Sequence, residues 1–172
     1  MKMNRHIMFL LVAAFASTIA FSANNDCANK TKCTKCQCKD KVCTTKKDCA
    51  EIWTENIDQA FECAKKTNKK VFINFTGSDW CYWCILAEKN IFSKKEWKDF
   101  SKDLICLKVD FPQKNQADVM TMAKREELAR EFNVMGYPTF YLADGNKKIL
   151  SRFSAGRKDC KTFINEVKAA LK

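Results

Sequence analysis

Two cysteines three residues apart, Cys81 and Cys84, lie between a predicted strand and a predicted helix, and they constrain the fold more than any other feature of the sequence. Residues 71–76 before them are rich in β-branched and aromatic side chains on both faces, which is typical of a central strand covered on both sides. If the next helix begins near Cys81, that sulfur lies at the positive end of the helix dipole, where unpaired backbone N–H groups favour a thiolate. The spacing therefore predicts dithiol chemistry, in which an exposed Cys81 attacks a disulfide and a shielded Cys84 resolves the mixed disulfide.

The same two cysteines have two other interpretations, a pair of buried small hydrophobic residues or half of a zinc site. A C-x-x-C spacing near a βαβ pattern is itself typical of redox proteins, which favours the dithiol. The only histidine of the chain is His6, and it lies in the N-terminal segment described next. Once that segment is removed, the chain has no Ser-His-Asp or Cys-His machinery and no histidine-ligated metal site.

Residues 1–22 have the pattern of a secretory signal peptide. Lys2 and Arg5 form a positive start, residues 7–16 form an apolar run, and Ala20-Phe21-Ser22 has the small-x-small pattern of a cleavage site. We place cleavage after Ser22, with Ala20 and Ala23 as alternatives. The apolar run is shorter than the roughly 20 residues that a membrane-spanning helix needs, so we expect an exported protein without a membrane span.

Export places the 11 cysteines of the chain where disulfides persist, and their odd number leaves at least one thiol unpaired within the chain. Without the signal the formal charge falls from +11 to about +9, a balance that can favour acidic partners or anionic membrane surfaces. The lysines are spread along the chain without interleaved aromatic residues, so we do not expect nucleic-acid binding.

Residues 23–50 form a separate Cys-rich and Lys-rich segment with almost no large apolar side chain. It contains Cys27, Cys33, Cys36, Cys38, Cys43 and Cys49. Such a segment cannot bury a core, so order would require cross-links or a metal. We consider three interpretations: a disulfide-stapled or disordered extension, a thiolate site for zinc or copper, and a redox-active or tethering tail.

Residues 51–172 alternate between helix and strand patterns. Helices are predicted at 52–67, 81–90, 93–100, 117–132 and 158–171, and strands at 71–76, 104–110, 139–143 and 147–153. Ser93 and Glu96 have the spacing of a capping box, which predicts a break in the crossover near Phe92. The first two strands should be parallel and the last two a hairpin, which predicts an α/β domain whose mixed sheet has helices on both faces.

This order, with W-C-x-x-C after the first strand and Gly136-Tyr137-Pro138-Thr139 before the third, resembles the thioredoxin superfamily across about residues 51–172. The stretch from Phe75 to Cys84 is similar to the exported bacterial branch that includes the periplasmic DsbH-type oxidoreductases. The resemblance implies a thioredoxin fold and a periplasmic location. It also implies that Cys81 is the nucleophile and Cys84 the resolving cysteine.

The resemblance further implies substrate contacts beside the dithiol. The family has a cis-proline there, which corresponds to Pro138 and exposes neighbouring backbone groups to an extended substrate strand. Trp80 and Tyr137 would flank the dithiol and offer apolar contacts; the alternative for Trp80 is a place in the core.

The sequence departs from the family pattern at the groups that support the resolving cysteine. Asn74 occupies the place of a buried aspartate, whereas Lys108 matches the family's buried strand lysine. Asp79 or Glu88 could supply the missing carboxylate; the alternative for these three charged residues is plain solvent exposure. The residues between the two cysteines include no histidine, unlike the strongest oxidants of the family.

The leading interpretation is a monomeric, exported thiol:disulfide oxidoreductase that reduces, or isomerises, protein disulfides without a bound cofactor or metal. Its electrons would come from a membrane-embedded donor, because an oxidising compartment does not keep a dithiol reduced. The alternatives are a metal-handling protein that binds zinc or copper through its Cys-rich segment, a disulfide isomerase or oxidase, and a non-enzymatic adaptor. We expect Cys63, Cys106 and Cys160 to be buried free thiols that only fill the core.

Overall fold

The computed structural model describes residues 53–172. The predictions of a signal peptide at 1–22 and of a Cys-rich segment at 23–50 fall outside the described residues. None of the helices in residues 53–172 combines the length and the apolar character needed to cross a lipid bilayer.

A four-stranded mixed sheet forms the centre of the domain. Its strands are β1 (Val71–Thr76), β2 (Ile105–Asp110), β3 (Thr139–Ala143) and β4 (Ile149–Phe153), in the spatial order β2-β1-β3-β4. β1 pairs in parallel with β2, whereas β3 is antiparallel to both β1 and β4. Every residue of β1 is buried, as its apolar pattern predicts, and the predicted mixed sheet is confirmed.

Within residues 53–172, five α-helices cover the two faces of the sheet. They are α1 (Ile57–Thr67), α2 (Tyr82–Ala87), α3 (Lys95–Phe100), α4 (Val119–Glu131) and α5 (Cys160–Ala170). One hydrophobic cluster lies beneath α1 and α4 and includes Phe61, Phe75 and Phe132. The other lies beneath α3 and α5 and includes Phe72, Trp97 and Phe163.

The crossover between β1 and β2 is broken where the sequence predicts a break, although the predicted cap is wrong. α2 continues as a π-helical turn to Phe92, and α3 then begins at Lys95. The N-cap of α3 is Lys94, which makes no capping side-chain hydrogen bond. The Ser93 hydroxyl instead donates to the carbonyl of Lys89 at 2.9 Å, so Ser93 closes the preceding turn and no capping box forms.

The start of α1 also differs from the prediction of a helix from residue 52. Thr54 pairs in parallel with Leu107 on β2, which keeps its backbone extended. Asn56 then caps the helix, and its side-chain oxygen accepts the N–H of Gln59 at 3.0 Å. The periodic apolar side chains therefore begin before the helix does, because the chain first extends the sheet.

Candidate active site

The functional centre is a disulfide between Cys81 and Cys84 at the beginning of α2. Cys81 is the N-cap residue, and its Sγ accepts the backbone N–H of Cys84 at 3.2 Å. The backbone N–H of Cys81 donates to the carbonyl of Gly77 at 2.9 Å, which fixes the cysteine at the end of the strand-to-helix turn. In the reduced pair, the N–H of Cys84 and the positive end of the α2 dipole would favour a thiolate on Cys81.

The expectation of one exposed and one shielded cysteine is not met. Cys81 is 6% exposed and Cys84 is 5% exposed, so both sulfurs are covered in the disulfide form. Neighbouring aromatic side chains surround the pair, as described next. The chemical difference between the two cysteines therefore arises from their positions on α2, one at the N-cap and one a turn inside.

Exposed aromatic side chains precede and separate the two cysteines of the disulfide. Trp80 is 42% exposed, so it is not a core residue, and Trp83 between the cysteines is 45% exposed. The ring of Trp80 meets the ring of Tyr137 edge to face at 5.9 Å, and its Nε1 donates to the carbonyl of Phe111 at 2.7 Å. The role of Trp80 and Tyr137 as substrate contacts beside the dithiol stays a prediction.

Gly77 makes room for Trp80. A Cβ atom on Gly77 would lie 2.4 Å from the indole ring, well inside van der Waals contact. The absence of a side chain at this position therefore allows Trp80 to fold back over the turn that leads to Cys81.

A groove of about 250 Å³ lies beside Trp83 and Pro138, and the peptide bond between Tyr137 and Pro138 is cis. Its lining residues are Trp83, Pro138, Ser154, Ala155, Gly156 and Arg157. Sequence reasoning identified Pro138 but missed the 154–157 loop. The available signal was Gly156, which lies in the turn after β4 and adopts a positive φ of 53°, a conformation that favours glycine.

A second cavity, of about 280 Å³, lies behind Cys84. It is lined by Asn74, Lys108 and Glu88 among other polar residues. Asn74 and Lys108 face each other across β1 and β2, and Asn74 is only 5% exposed. Its Oδ1 has no hydrogen-bond partner among residues 53–172, so it offers a site for a water molecule beside the resolving cysteine.

Glu88 and Asp79, the two carboxylates considered for the support of Cys84, have different positions. Glu88 lines the cavity together with Cys84, one helical turn further along the chain. Asp79 lies outside it and accepts the backbone N–H groups of Gln113 and Lys114, the latter at 2.8 Å. These hydrogen bonds lower the pKa of Asp79, which holds the loop after β2 and does not reach Cys84.

The predicted supporting residue Lys108 lies in a charge network that sequence reasoning missed. Its Nζ is 3.7 Å from Asp110 and 4.0 Å from Glu55. Asp110 also accepts the N–H and the hydroxyl of Ser78, at 2.9 and 2.6 Å. Arg125, which is 4% exposed, donates to the carbonyl of Asp110 and forms a 2.7 Å ion pair with Glu55. Two carboxylates thus lie within 4.0 Å of Lys108 Nζ and balance its positive charge.

The remaining cysteines of the described domain divide into two kinds. Cys106 and Cys160 are free and buried, and burial raises the pKa of Cys106 to about 12 and raises that of Cys160. Both therefore remain protonated near neutral pH, as expected of thiols that only fill the core. The same expectation is wrong for Cys63, which is disulfide-bonded.

Comparison with known proteins agrees with this geometry. The family model described as thioredoxin-like matches residues 52–144. The disulfide bond reductase DsbH of Chlamydia pneumoniae is 35% identical over 124 residues, which cover 72% of this chain and 75% of that protein.

Solved structures also resemble the domain. A structure titled DsbH oxidoreductase superimposes with a TM-score of 0.66 at 32% identity, covering 77% of this chain and 93% of the other. A thioredoxin from Thermus thermophilus has a TM-score of 0.53 at 18% identity and covers 69% of this chain and 85% of its own, a likeness of fold alone.

Proposed function

This chain belongs to the thioredoxin-like family and is a thiol:disulfide oxidoreductase, and on that premise we propose that it works as a reductase of protein disulfides. The observation that carries the proposal is the position of Cys81. Cys81 is the N-cap residue of α2, and its Sγ accepts the backbone N–H of Cys84. The same Sγ forms a disulfide with Cys84, which lies one turn inside the helix.

The proposed reaction begins with the reduced pair. The Cys81 thiolate attacks one sulfur of a substrate disulfide, forming a mixed disulfide while the substrate bond breaks and the leaving sulfur takes up a proton. Cys84 then loses its proton and attacks Cys81 Sγ. The Cys81–Cys84 disulfide forms, the second substrate thiol leaves, and two electrons have passed from the protein to the substrate.

The surroundings of the dithiol support the reducing direction. The side chains between the cysteines, Tyr82 and Trp83, are exposed aromatic groups that carry no positive charge. The nearby Lys108 is balanced by Asp110 and Glu55. Lys89 also lines the cavity beside Cys84, but it is exposed to solvent, which screens its charge. We infer that backbone N–H groups are the main stabilisers of the thiolate, so the reduced form is not favoured as strongly as in an oxidant such as DsbA.

We place this activity in the periplasm, with the protein exported as a monomer by the predicted signal peptide at residues 1–22. The similarity to a DsbH reductase supports this location. The protein disulfides of that compartment are the proposed substrates, and a membrane-embedded donor is the proposed source of electrons. Trp80, Tyr137 and Pro138 are the proposed substrate contacts; the rings of Trp80 and Tyr137 meet, and Pro138 lines a groove together with Trp83.

Single cysteine variants test the proposal by insulin-disulfide reduction. Cys81→Ser removes the nucleophile and should abolish the activity. Cys84→Ser should still attack but should accumulate mixed disulfides that dithiothreitol releases, because no resolving thiol remains. The products are identified by non-reducing electrophoresis and intact-mass measurement.

Cys160→Ala provides the matched control, since Cys160 is also a buried cysteine at the start of a helix but has no bonded partner. This variant should reduce insulin at the wild-type rate. Equal activity of the wild type and both dithiol variants would refute the assignment of Cys81 and Cys84.

A further inference from the structure

The groove beside Pro138 has apolar walls and one cationic end. Trp83, Pro138 and the buried Ala155 are among its apolar lining residues. Arg157 lines the same groove and is exposed. An extended substrate chain bound in this groove would contact the indole of Trp83, which lies between the two cysteines in the sequence, and the guanidinium group of Arg157.

The guanidinium group of Arg157 has no acidic partner among residues 53–172. Arg157 makes no ion pair and no side-chain hydrogen bond with any of residues 53–172. The neighbouring Lys158, by contrast, binds Glu166 at 2.7 Å and the carbonyl of Ser154 at 3.2 Å. The nearby Asp159 carboxylate is occupied as the N-cap of α5, where it accepts the N–H of Thr162. The groove therefore carries the positive charge of Arg157, which no carboxylate of residues 53–172 neutralises.

We propose that this groove selects substrates with an acidic residue two positions from the attacked cysteine, and that Arg157 is the residue that determines this preference. The inference rests on the proposed reductase function and names its substrate class. In an extended segment, side chains two residues apart point to the same side. A substrate cysteine that faces Cys81 therefore directs its second neighbour toward the protein as well, where a carboxylate can pair with Arg157.

The test measures single-turnover rates of the reduced full-length protein with blocked peptides, each joined through its one cysteine to mercaptoethanol. Two pairs are used, with Asp or Asn two residues before or two residues after the cysteine. Each rate is divided by the rate of the same peptide with dithiothreitol, which removes the effect of the Asp on the intrinsic reactivity of the disulfide. The reaction is followed by the fluorescence of Trp80 and Trp83, which lie beside the dithiol.

We expect one Asp peptide to react about two- to fivefold faster than its Asn partner at low salt, the range of an exposed ion pair. The preference should shrink at 1 M salt, where the screening length falls to about 3 Å. Arg157→Gln should remove the preference and Arg157→Lys should keep part of it. Arg152→Gln is the matched control, because Arg152 lies over the ring of Tyr141 outside the groove, yet the variant loses the same charge.

Hydroxyethyl disulfide, which is small and uncharged, distinguishes a failure of the proposed reductase function from a failure of the proposed substrate preference. Failure of the wild type to reduce it would contradict the proposed function itself. If all variants reduce it equally but the wild type shows no Asp preference, the substrate class is wrong. If Arg152→Gln loses the preference as completely as Arg157→Gln, net charge attracts the substrate and the role of Arg157 is overturned.

Discussion

Glu88 and Asp79 are both acidic residues near the dithiol, but only Glu88 shares a cavity with Cys84. A carboxylate there can accept the proton of Cys84 through a water molecule that also binds the unpaired Oδ1 of Asn74. We expect Glu88→Gln to slow the release of the mixed disulfide by about a hundredfold, the low end of what a positioned acid or base contributes. The rate of the initial attack by Cys81 should change much less.

Asp79→Asn is the matched control for Glu88→Gln, because it also replaces a carboxylate by an amide. Asp79 holds the backbone of Gln113 and Lys114 and does not line the cavity. Rapid-quench trapping of the mixed disulfide separates attack from release in both variants. Slower release in Asp79→Asn with unchanged release in Glu88→Gln would reverse the assignment.

For single residues, the sequence predicts those that belong to short local motifs. It misses those whose contacts come from distant parts of the chain. Cys81, Cys84 and Pro138 stand in short patterns, and the structure brings them to one end of the sheet. Arg125 contacts the Glu55 carboxylate and the backbone carbonyl of Asp110, which come from two other parts of the chain, so no sequence spacing predicts this contact. The nearly equal burial of the two cysteines likewise depends on surrounding side chains from other parts of the chain.

Among the elements, the turn between β1 and α2 decides where Trp80 lies. Gly77→Ala would place a methyl group 2.4 Å from the indole and should displace it from Phe111. We expect a loss of about 1–3 kcal/mol in the free energy of unfolding, the usual cost of overpacking. Urea denaturation followed by tryptophan fluorescence measures it.

Gly136→Ala is the control for Gly77→Ala. Gly136 lies in the other loop beside the dithiol, and a Cβ atom there would meet no atom within 4 Å. Its unfolding midpoint should remain close to that of the wild type. A larger loss in Gly136→Ala than in Gly77→Ala would show that Trp80 does not depend on the space at Gly77.

The existence and order of the elements were predictable because each has its own apolar period, but their ends were not. α1 begins five residues later than predicted, since Thr54 joins the sheet and Asn56 supplies the cap. Ser93 bonds to the carbonyl of Lys89 and does not cap α3. Such ends are decided by competition between local hydrogen bonds and pairing with a distant strand, which spacing alone does not resolve.

For the whole molecule, residues 53–172 contribute a four-stranded sheet and two hydrophobic clusters, one on each face. Because Cys63 is disulfide-bonded in the full chain, the test variant lacks residues 24–50 and also carries Cys63→Ala, which leaves no unpaired thiol at that position. We expect this variant to unfold in one cooperative transition and to reduce insulin at the wild-type rate. Thermal unfolding and the insulin assay, with the full-length protein as reference, check this. A deletion variant without a cooperative transition would show that the domain extends further toward the N-terminus.

The central claim is that the Cys81–Cys84 pair donates electrons, and its reduction potential tests that claim most directly. The thiolate of Cys81 is stabilised by backbone N–H groups and not by a histidine, and the charge of Lys108 is balanced by Asp110 and Glu55. Equilibration with glutathione buffers should give a potential nearer to that of thioredoxin, about −270 mV, than to that of DsbA, about −120 mV. A potential above about −180 mV, the value of protein disulfide isomerase, would contradict the reductase account and indicate an isomerase or an oxidase.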